Sequence, residues 1–210
     1  MRTITRTTVA IAAFAGLFAT ETNRAAAQTL ASLPAASSPA DTAGETRAVQ
    51  GWVRLCVQDP QECAVNLDEP STITLTRQTW QAILSVNAKV NGTLKPLTDD
   101  EHWGIPDVWD VPTDGYGDCE DYQLLKRKLL VQGGLPRRAL RMTVVIDEKG
   151  EGHAVLMART DRGDLILDNK TSAVLPWHQT GYIYVKREGQ DGPAWTSLGG
   201  AMAPITTANR

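Results

Sequence analysis

Residues 117–132 read GDCEDYQLLKRKLLVQ, and this stretch predicts the central helix of the fold. Asp118 is a candidate N-cap, and Glu120 and Asp121 place negative charge in the first turn, where the helix dipole favours it. Two glycines follow the stretch and are typical of a helix end. The predicted helix therefore spans 119–132, with an apolar face formed by Leu124, Leu125 and Leu129.

The pattern on either side of this helix indicates the fold class. After it, apolar residues alternate with a period of two, which predicts four strands over 139–147, 153–160, 165–169 and 182–186. Before it, helical spacing predicts one helix over 45–58 and a second from Thr76 to Asn91-Gly92, while 96–117 is irregular and rich in turn residues. Helices followed by an antiparallel sheet define an α+β fold.

Composition divides the chain into four parts. Arg2 and Arg6 precede an apolar run that is too short to span a membrane, and Ala25-Ala26-Ala27 offers a cleavage site. The predicted parts are a signal peptide over 1–27, a flexible linker over 28–44, the folded domain over 45–187, and a polar C-terminal tail over 188–210 in which Trp195 is a candidate for docking. The mature protein is expected to be periplasmic or secreted, without a membrane span.

Charge and cysteine content narrow the function classes. The formal net charge is −3, with basic and acidic residues interspersed, so no nucleic-acid partner is expected. There are 3 cysteines, and Cys56 and Cys63 lie close enough in sequence to be the natural disulfide pair in an oxidising compartment. Cys119 is the remaining thiol. A thiol outside a disulfide is most often a small buried apolar side chain, so its neighbours decide its role.

Cys119 lies at the predicted start of the helix, where backbone N–H groups stabilise a thiolate. A thiol nucleophile also needs a base within hydrogen-bond reach and an acid that orients the base. His153 begins one predicted strand and Asp168 lies on the next, so the hairpin places the acid opposite His153 or one residue pair away on the same face. His102 and His178 lie in turn-like stretches and suit the role of the base less well. The pattern predicts a Cys119–His153–Asp168 triad.

Three acids surround this cysteine: Asp118, Glu120 and Asp121. Their charges raise the pKa of a thiol and so oppose the effect of the helix dipole. A hard cation held by carboxylate oxygens would compensate, and calcium is the abundant choice outside the cytoplasm. The alternative is that these acids are an ordinary first turn of a helix.

Three segments carry a family resemblance: the run Gly117–Tyr122, the residues Gly152-His153-Ala154-Val155, and the residues Leu167-Asp168-Asn169, with Trp109 and Pro112 before them. Together they resemble the bacterial transglutaminase-like cysteine proteinases, whose best-known members are the LapG-type periplasmic proteases. The resemblance covers roughly residues 56–186. It implies a papain-like fold, with the nucleophile on a helix packed against the antiparallel sheet, and it matches the family's triad to Cys119, His153 and Asp168.

The same resemblance implies ligands and partners. In LapG-type members, calcium binds beside the active site through acids flanking the nucleophile, which match Asp118, Glu120 and Asp121 here. Those proteases trim large surface adhesins and release biofilm cells, under the control of an inner-membrane cyclic-di-GMP receptor. The resemblance therefore implies a protein substrate, with a surface adhesin and an inner-membrane regulatory receptor as candidate partners.

The leading interpretation is an exported, thiol-dependent endopeptidase that works through an acyl-enzyme and needs no organic cofactor. Two alternatives stay open. Acyl transfer to an amine, as in transglutaminases, uses the same thiol chemistry and differs only in the incoming nucleophile. A catalytically silent, calcium-responsive binding protein would keep the scaffold and the acids without turnover.

Overall fold

The computed structural model describes residues 32–200, which form a 7-stranded sheet with helices packed on one face. The strands in chain order are β1 (Glu45–Thr46), β2 (Lys95–Pro96), β3 (Tyr116–Gly117), β4 (Leu140–Ile146), β5 (Gly152–Thr160), β6 (Gly163–Leu167), β7 (Leu175–Pro176), β8 (Ile183–Glu188) and β9 (Trp195–Ser197). The sheet order is β1-β9-β8-β4-β5-β6-β7, and every neighbouring pair is antiparallel. Strands β2 and β3 form a separate parallel pair.

The described residues contain four α-helices: α1 (Gln50–Gln58), α2 (Arg77–Thr93), α3 (Asp99–Trp103) and α4 (Cys119–Gln132). Thr76 starts α2 with a capping box, because its hydroxyl accepts from the Thr79 N–H and the Thr79 hydroxyl accepts from the Thr76 N–H. Helix α4 has the predicted bounds and packs between α2 and β5. The predicted α+β class, with this helix on an antiparallel sheet, is confirmed.

Each face of the sheet has its own core. The helices and one face enclose the larger core, which includes the buried residues Trp52, Ile83, Leu124, Leu156 and Trp195. The other face carries Val145, Val155, Met157, Ile166 and Tyr184, against which Ala40 and Trp177 pack. Because a strand alternates its side chains between the two faces, neighbouring residues of β5 belong to different cores.

Two predictions on helix boundaries are wrong. The first helix begins at Gln50 rather than residue 45, because Glu45 and Thr46 pair with Thr196 and Trp195 instead of forming helical hydrogen bonds. The stretch 96–117 is not wholly irregular, because it contains α3. Thr98 starts α3 by accepting from the Glu101 N–H at 3.3 Å.

The predicted linker is also wrong where the structure describes it. Part of the stretch 32–44 lies along the second face of the sheet, where the Ser37 N–H donates to the Arg162 carbonyl at 3.0 Å and the Ala40 N–H donates to Asp164 at 2.9 Å. Ala40 is buried there. The apolar second face needs a cover, and this stretch supplies part of it. The predicted signal peptide over 1–27 lies outside the described residues.

The predicted tail over 188–210 has a different boundary. Strand β8 extends to Glu188, and β9 joins the sheet between β8 and β1. Trp195 is fully buried and makes edge contacts with the Trp52 and Trp109 rings, at centroid distances of 5.7 and 6.3 Å. Burial of this large aromatic side chain stabilises a segment that is otherwise rich in glycine.

A network of paired charges lies beneath the second half of α4. Arg127 is fully buried and donates to both carboxylate oxygens of Glu188, at 3.0 and 2.8 Å, and to Glu62 Oε2 at 3.0 Å. Trp52 and the Met142 N–H also donate to Glu188. Burial raises the pKa of Glu188, but Arg127 and two further arginines outweigh burial and hold that pKa at about 2. This buried carboxylate is ionised and partnered by the chain itself.

Cys56 and Cys63 form a disulfide, with their Cα atoms 5.5 Å apart, which ties the end of α1 to the turn that carries Glu62. It is the pair that the sequence predicts. No helix in the described residues is long and apolar enough to cross a membrane.

Candidate active site

Cys119 is the first residue of α4, and its side chain is 1% exposed. Its Sγ accepts a hydrogen bond from the Ala154 N–H at 3.4 Å and donates one to Glu120 Oε2 at 3.0 Å. Gly117 fixes the approach to the helix, because a Cβ at this position would lie 2.8 Å from the Asp121 Cβ. Since Ala154 directly follows the predicted base on β5, the thiol lies against the backbone of the strand that carries that base.

His153 and Asp168 form a buried pair. His153 Nε2 and Asp168 Oδ1 are 2.9 Å apart, and each residue is 3% exposed. Leu156 pairs with Leu167 across β5 and β6, so Asp168, one residue beyond β6, lies one residue pair from His153 on the same face. The structure therefore brings these two predicted site residues into direct contact.

Asp168 is held by donors of the chain. The Tyr182 hydroxyl donates to its Oδ2 at 2.6 Å, and the Lys170 N–H donates to its Oδ1 at 3.0 Å. Burial raises the pKa of Asp168, but the hydrogen bond and charge of His153 outweigh burial and lower it overall. Asp168 is therefore an ionised acceptor beside the imidazole.

The other two histidines lie elsewhere. His102, in α3, pairs with the half-exposed Asp114 at 2.8 Å, and His178 has Gln179 as its hydrogen-bond neighbour.

The predicted metal-ligating acids divide into two groups that share Asp118. One group comprises Asp118, Cys119 and Glu120, and the other comprises Asp118 and Asp121 together with Asp99 from α3; within each group the candidate ligand atoms lie within 4.8 Å of one another. The structure thus brings Asp118 together with each of the other two predicted acids and adds Asp99. All four acids are buried.

Sequence reasoning does not identify Asp99, because the stretch that contains it is predicted to be irregular. A signal for it exists. Thr98 followed three residues later by Glu101 is a capping-box pattern, which predicts a helix start and places Asp99 in its first turn. Nothing local in the sequence indicates that this short helix lies against the start of α4.

The electrostatics of these acids are unfavourable without added positive charge. Burial, followed by repulsion between neighbouring carboxylates, raises the pKa of Asp118 to about 7 and that of Asp121 to about 9, and raises the pKa of Glu120 strongly. Burial also raises the pKa of Asp99 to about 6. None of the four forms an ion pair with a lysine or arginine among residues 32–200.

Three carboxylate oxygens show that the site fits a cation. Both oxygens of Asp118 and Oε1 of Glu120 are buried and have no hydrogen-bond partner among the described residues. Buried carboxylates of this kind are paired, protonated or bound to a metal. A set of oxygen ligands without histidine suits a hard divalent cation such as calcium.

The thiol shares this electrostatic environment. Burial raises the pKa of Cys119 strongly, and the charges of Glu120 and Asp118 raise it further. The helix N-terminus is predicted to favour a thiolate, but burial and the two acids outweigh its effect here.

A thiol in the first turn of a helix, packed against an antiparallel sheet that carries a buried His–Asp pair, defines the class of papain-like and transglutaminase-like thiol enzymes. The model of the family named bacterial transglutaminase-like cysteine proteinase matches residues 42–203, and the chain belongs to this family. The protein is therefore a cysteine proteinase of the transglutaminase-like type.

Solved structures of LapG from Legionella pneumophila are similar to this chain. One superposes with a TM-score of 0.50 at 28% identity, over 58% of this chain and 70% of that chain. A calcium-bound form gives a TM-score of 0.49 at 24% identity, over 65% of this chain and 87% of that chain. No curated protein matches the sequence. The first similarity agrees with the fold that the family match assigns.

Proposed function

We propose that the protein is an exported endopeptidase that hydrolyses a protein substrate through Cys119, His153 and Asp168. The observation that carries this proposal is the buried His153–Asp168 hydrogen bond of 2.9 Å, one residue along β5 from the Ala154 N–H that donates to the Cys119 Sγ. These two contacts support the proposal, because nucleophilic catalysis by cysteine requires a base near the thiol and an acid that orients the base.

The reaction proceeds in two halves. His153 takes the Cys119 proton as Sγ attacks the peptide carbonyl carbon, and since Asp168 engages Nε2, the nitrogen that serves the thiol is Nδ1. Backbone N–H groups at the start of α4 are donors for the oxyanion. The C–N bond then breaks, and His153 protonates the leaving amine. Water deprotonated by His153 hydrolyses the thioester and releases Cys119.

We further propose that the enzyme depends on calcium, held by Asp118, Glu120, Asp121 and Asp99. When bound, the cation supplies positive charge that favours the ionised form of the acids and of the neighbouring thiol. The support is the burial of these acids and the partnerless oxygens of Asp118 and Glu120. The chain positions the ligands from two elements, because Asp99 belongs to α3 and the other three to the start of α4.

The proposed location, substrate and regulation are supported by the family resemblance and the N-terminal sequence. The apolar run and Ala25-Ala26-Ala27 support export to the periplasm or beyond after removal of residues 1–27. The LapG-type resemblance supports a cell-surface adhesin as substrate and an inner-membrane receptor as regulator.

An activity-based labelling experiment tests the nucleophile. Mature protein is treated with an iodoacetamide probe at pH 7, with calcium or with EGTA, and the modified residue is identified by mass spectrometry. We expect rapid labelling of Cys119 in calcium and slower labelling in EGTA or in the His153→Ala variant. His178→Ala is the matched control, since His178 lies outside the site, and it should label like the wild type. Labelling of Cys119 that is slow in calcium and unaffected by His153→Ala would overturn the proposal.

A second assay separates hydrolysis from acyl transfer. The protein is incubated with a glutamine-containing protein and a labelled primary amine, and cleavage products and amine incorporation are followed together. Cleavage without incorporation supports the endopeptidase, whereas incorporation without cleavage would replace it with amine transfer.

A further inference from the structure

A buried carboxamide in the second turn of α4 touches the neighbours of both the candidate base and the candidate acid. Gln123 is 0% exposed. Its Nε2 donates to the Ala154 carbonyl oxygen at 3.4 Å and to Asn169 Oδ1 at 3.3 Å. Ala154 directly follows His153, and Asn169 directly follows Asp168. Both contacts need the amide nitrogen, because both partners are acceptors.

Gln123 and Cys119 both form hydrogen bonds with the backbone of Ala154 in β5. They are spaced i and i+4 on α4 and therefore lie on the same face of the helix. Cys119 Sγ accepts from the Ala154 N–H, and Gln123 Nε2 donates to the Ala154 carbonyl. The register of α4 along β5 is thus set at the residue next to His153.

The end of β6 explains why these backbone groups are available. Strand β6 stops at Leu167, which pairs with Leu156, so the part of β5 before Leu156 has no partner strand on that side. Buried backbone N–H and carbonyl groups need partners from elsewhere when a strand ends. Side chains of α4 supply them at Ala154.

Two other carboxamides, on α2, form hydrogen bonds to a different part of the chain. Asn91, on α2, donates to the Asp168 carbonyl at 2.8 Å, and Asn87, also on α2, donates to the carbonyls of Thr171 and Ser172 at 3.3 and 3.2 Å. Asn87 is as buried as Gln123, but its amide donates to this loop rather than to a residue beside Cys119 or His153. Among these three, Gln123 is the one that joins the helix of the nucleophile to the strand of the base.

We propose that Gln123 is a positioning residue that fixes the placement of the Cys119 thiol relative to His153. This inference rests on the proposed function of Cys119. Loss of the two hydrogen bonds would let α4 shift along β5, and a misplacement of about 1 Å between reacting groups is enough to reduce a rate by up to about 100-fold.

The test is a comparison of labelling rates between Gln123→Met and the matched control Asn87→Leu, both with calcium at pH 7. Methionine keeps the length of glutamine and removes the donor. We expect Gln123→Met to slow labelling of Cys119 by about tenfold or more and Asn87→Leu to change it less than about twofold. A double-mutant cycle adds a readout that a merely structural role would not change: in a His153→Ala background, Gln123→Met should have almost no further effect.

A second pair of variants serves if Gln123→Met does not fold. Asn169→Asp keeps an oxygen that accepts from Gln123, whereas Asn169→Leu removes it, so labelling should be slower in the leucine variant than in the aspartate variant. Equal rates in this pair, or the same loss from Gln123→Met with and without His153, would overturn the inference while leaving a reactive Cys119 in place. A wild-type protein whose Cys119 is not labelled would overturn the proposed function and the inference together.

Discussion

Helix α4 buries carboxylates at both ends, and the two ends treat them in opposite ways. Beneath its second half, Glu188 accepts from Arg127 at 2.8 and 3.0 Å, and its pKa is held at about 2. At its start, burial raises the pKa of Asp118 to about 7 and that of Asp121 to about 9. The burial is comparable, since Glu188 is 3% exposed and the two aspartates are each 1% exposed.

The two ends of α4 show how a structural charge can be distinguished from a functional one. Burial disfavours any carboxylate, and the chain compensates at Glu188 with its own arginines. At the start of α4, the described residues supply no such cation, so protons or an external cation must compensate. The uncompensated end is the end that carries Cys119, which is where strongly perturbed groups are expected in an enzyme.

Removal of the thiol tests whether the chemistry depends on the uncompensated end of α4. Cys119→Ala should reduce cleavage of a protein substrate by at least about 10⁴-fold, because no other group can form the acyl-enzyme. The melting temperature should change by only a few degrees, since alanine keeps most of the buried volume. Gel-based cleavage and circular dichroism measure the two quantities on one sample. Cleavage at the wild-type rate would show that the chemistry does not depend on the start of α4.

The next effect tests the compensated end. Glu188→Gln should lower the free energy of unfolding by about 3–5 kcal/mol, because it leaves buried arginines without their partner. The folded pKa of Glu188 is lowered, so its contribution is present in full above the unfolded value of 4.5 and is lost as pH falls towards about 2. Urea unfolding at pH 7 and pH 3 measures this difference.

Calcium should not change the loss of unfolding free energy caused by Glu188→Gln. This independence from calcium distinguishes the Glu188 network from the acids at the start of α4. Glu148→Gln, at an exposed turn position, is the control and should be nearly neutral. A loss that disappears when calcium is added would mean that the two ends of the helix are coupled.

The third prediction is an increase in stability rather than a loss. In EGTA at pH 8, Asp118→Asn should raise the free energy of unfolding by about 2 kcal/mol, because the amide removes a buried negative charge. The folded pKa of Asp118 is raised to about 7, so wild-type stability falls as pH rises from about 4 through that value, and the gain from the variant should vanish near pH 5.

The same variant should lose the stabilisation by calcium that the proposed site predicts for the wild type. In the wild type, calcium at about 100 times its dissociation constant should add about 2.7 kcal/mol. Urea unfolding with calcium and with EGTA gives both values. A destabilised Asp118→Asn protein in EGTA would show that this carboxylate is compensated by the chain after all.

The sequence indicates the uncompensated end more directly than the compensated one. The run Gly117–Tyr122 places three acids around a thiol. The acids also indicate the first turn of a helix, and the predicted bounds of this helix match those of α4 to the residue. Local pattern is enough there because all of these groups lie within one helical turn. The family resemblance then adds the fold and the triad, of which His153 and Asp168 are found in contact.

The parts that sequence could not supply depend on distant contacts. Glu188 and Arg127 are far apart in sequence, and nothing local indicates that they meet beneath α4. The sequence around residues 32–44 and around Trp195 is typical of loops. Their ordered structure is explained by the apolar faces of the sheet that they cover. Asp99 joins the acids for the same reason, because the packing of α3 is a tertiary feature.

The last prediction is also the smallest in size and concerns Asp168, a buried carboxylate at the candidate active site that the chain does compensate. Tyr182→Phe removes the 2.6 Å hydrogen bond to Oδ2 and should cost about 1–2 kcal/mol at pH 7. Because the folded pKa of Asp168 is lowered, this cost should shrink as pH falls below about 4. Tyr184→Phe is the matched control, since its hydroxyl contacts Thr180 at 3.0 Å and should give a loss that does not vary with pH. Urea unfolding from pH 3 to pH 8 compares the two variants, and identical pH profiles would place Asp168 with the uncompensated acids.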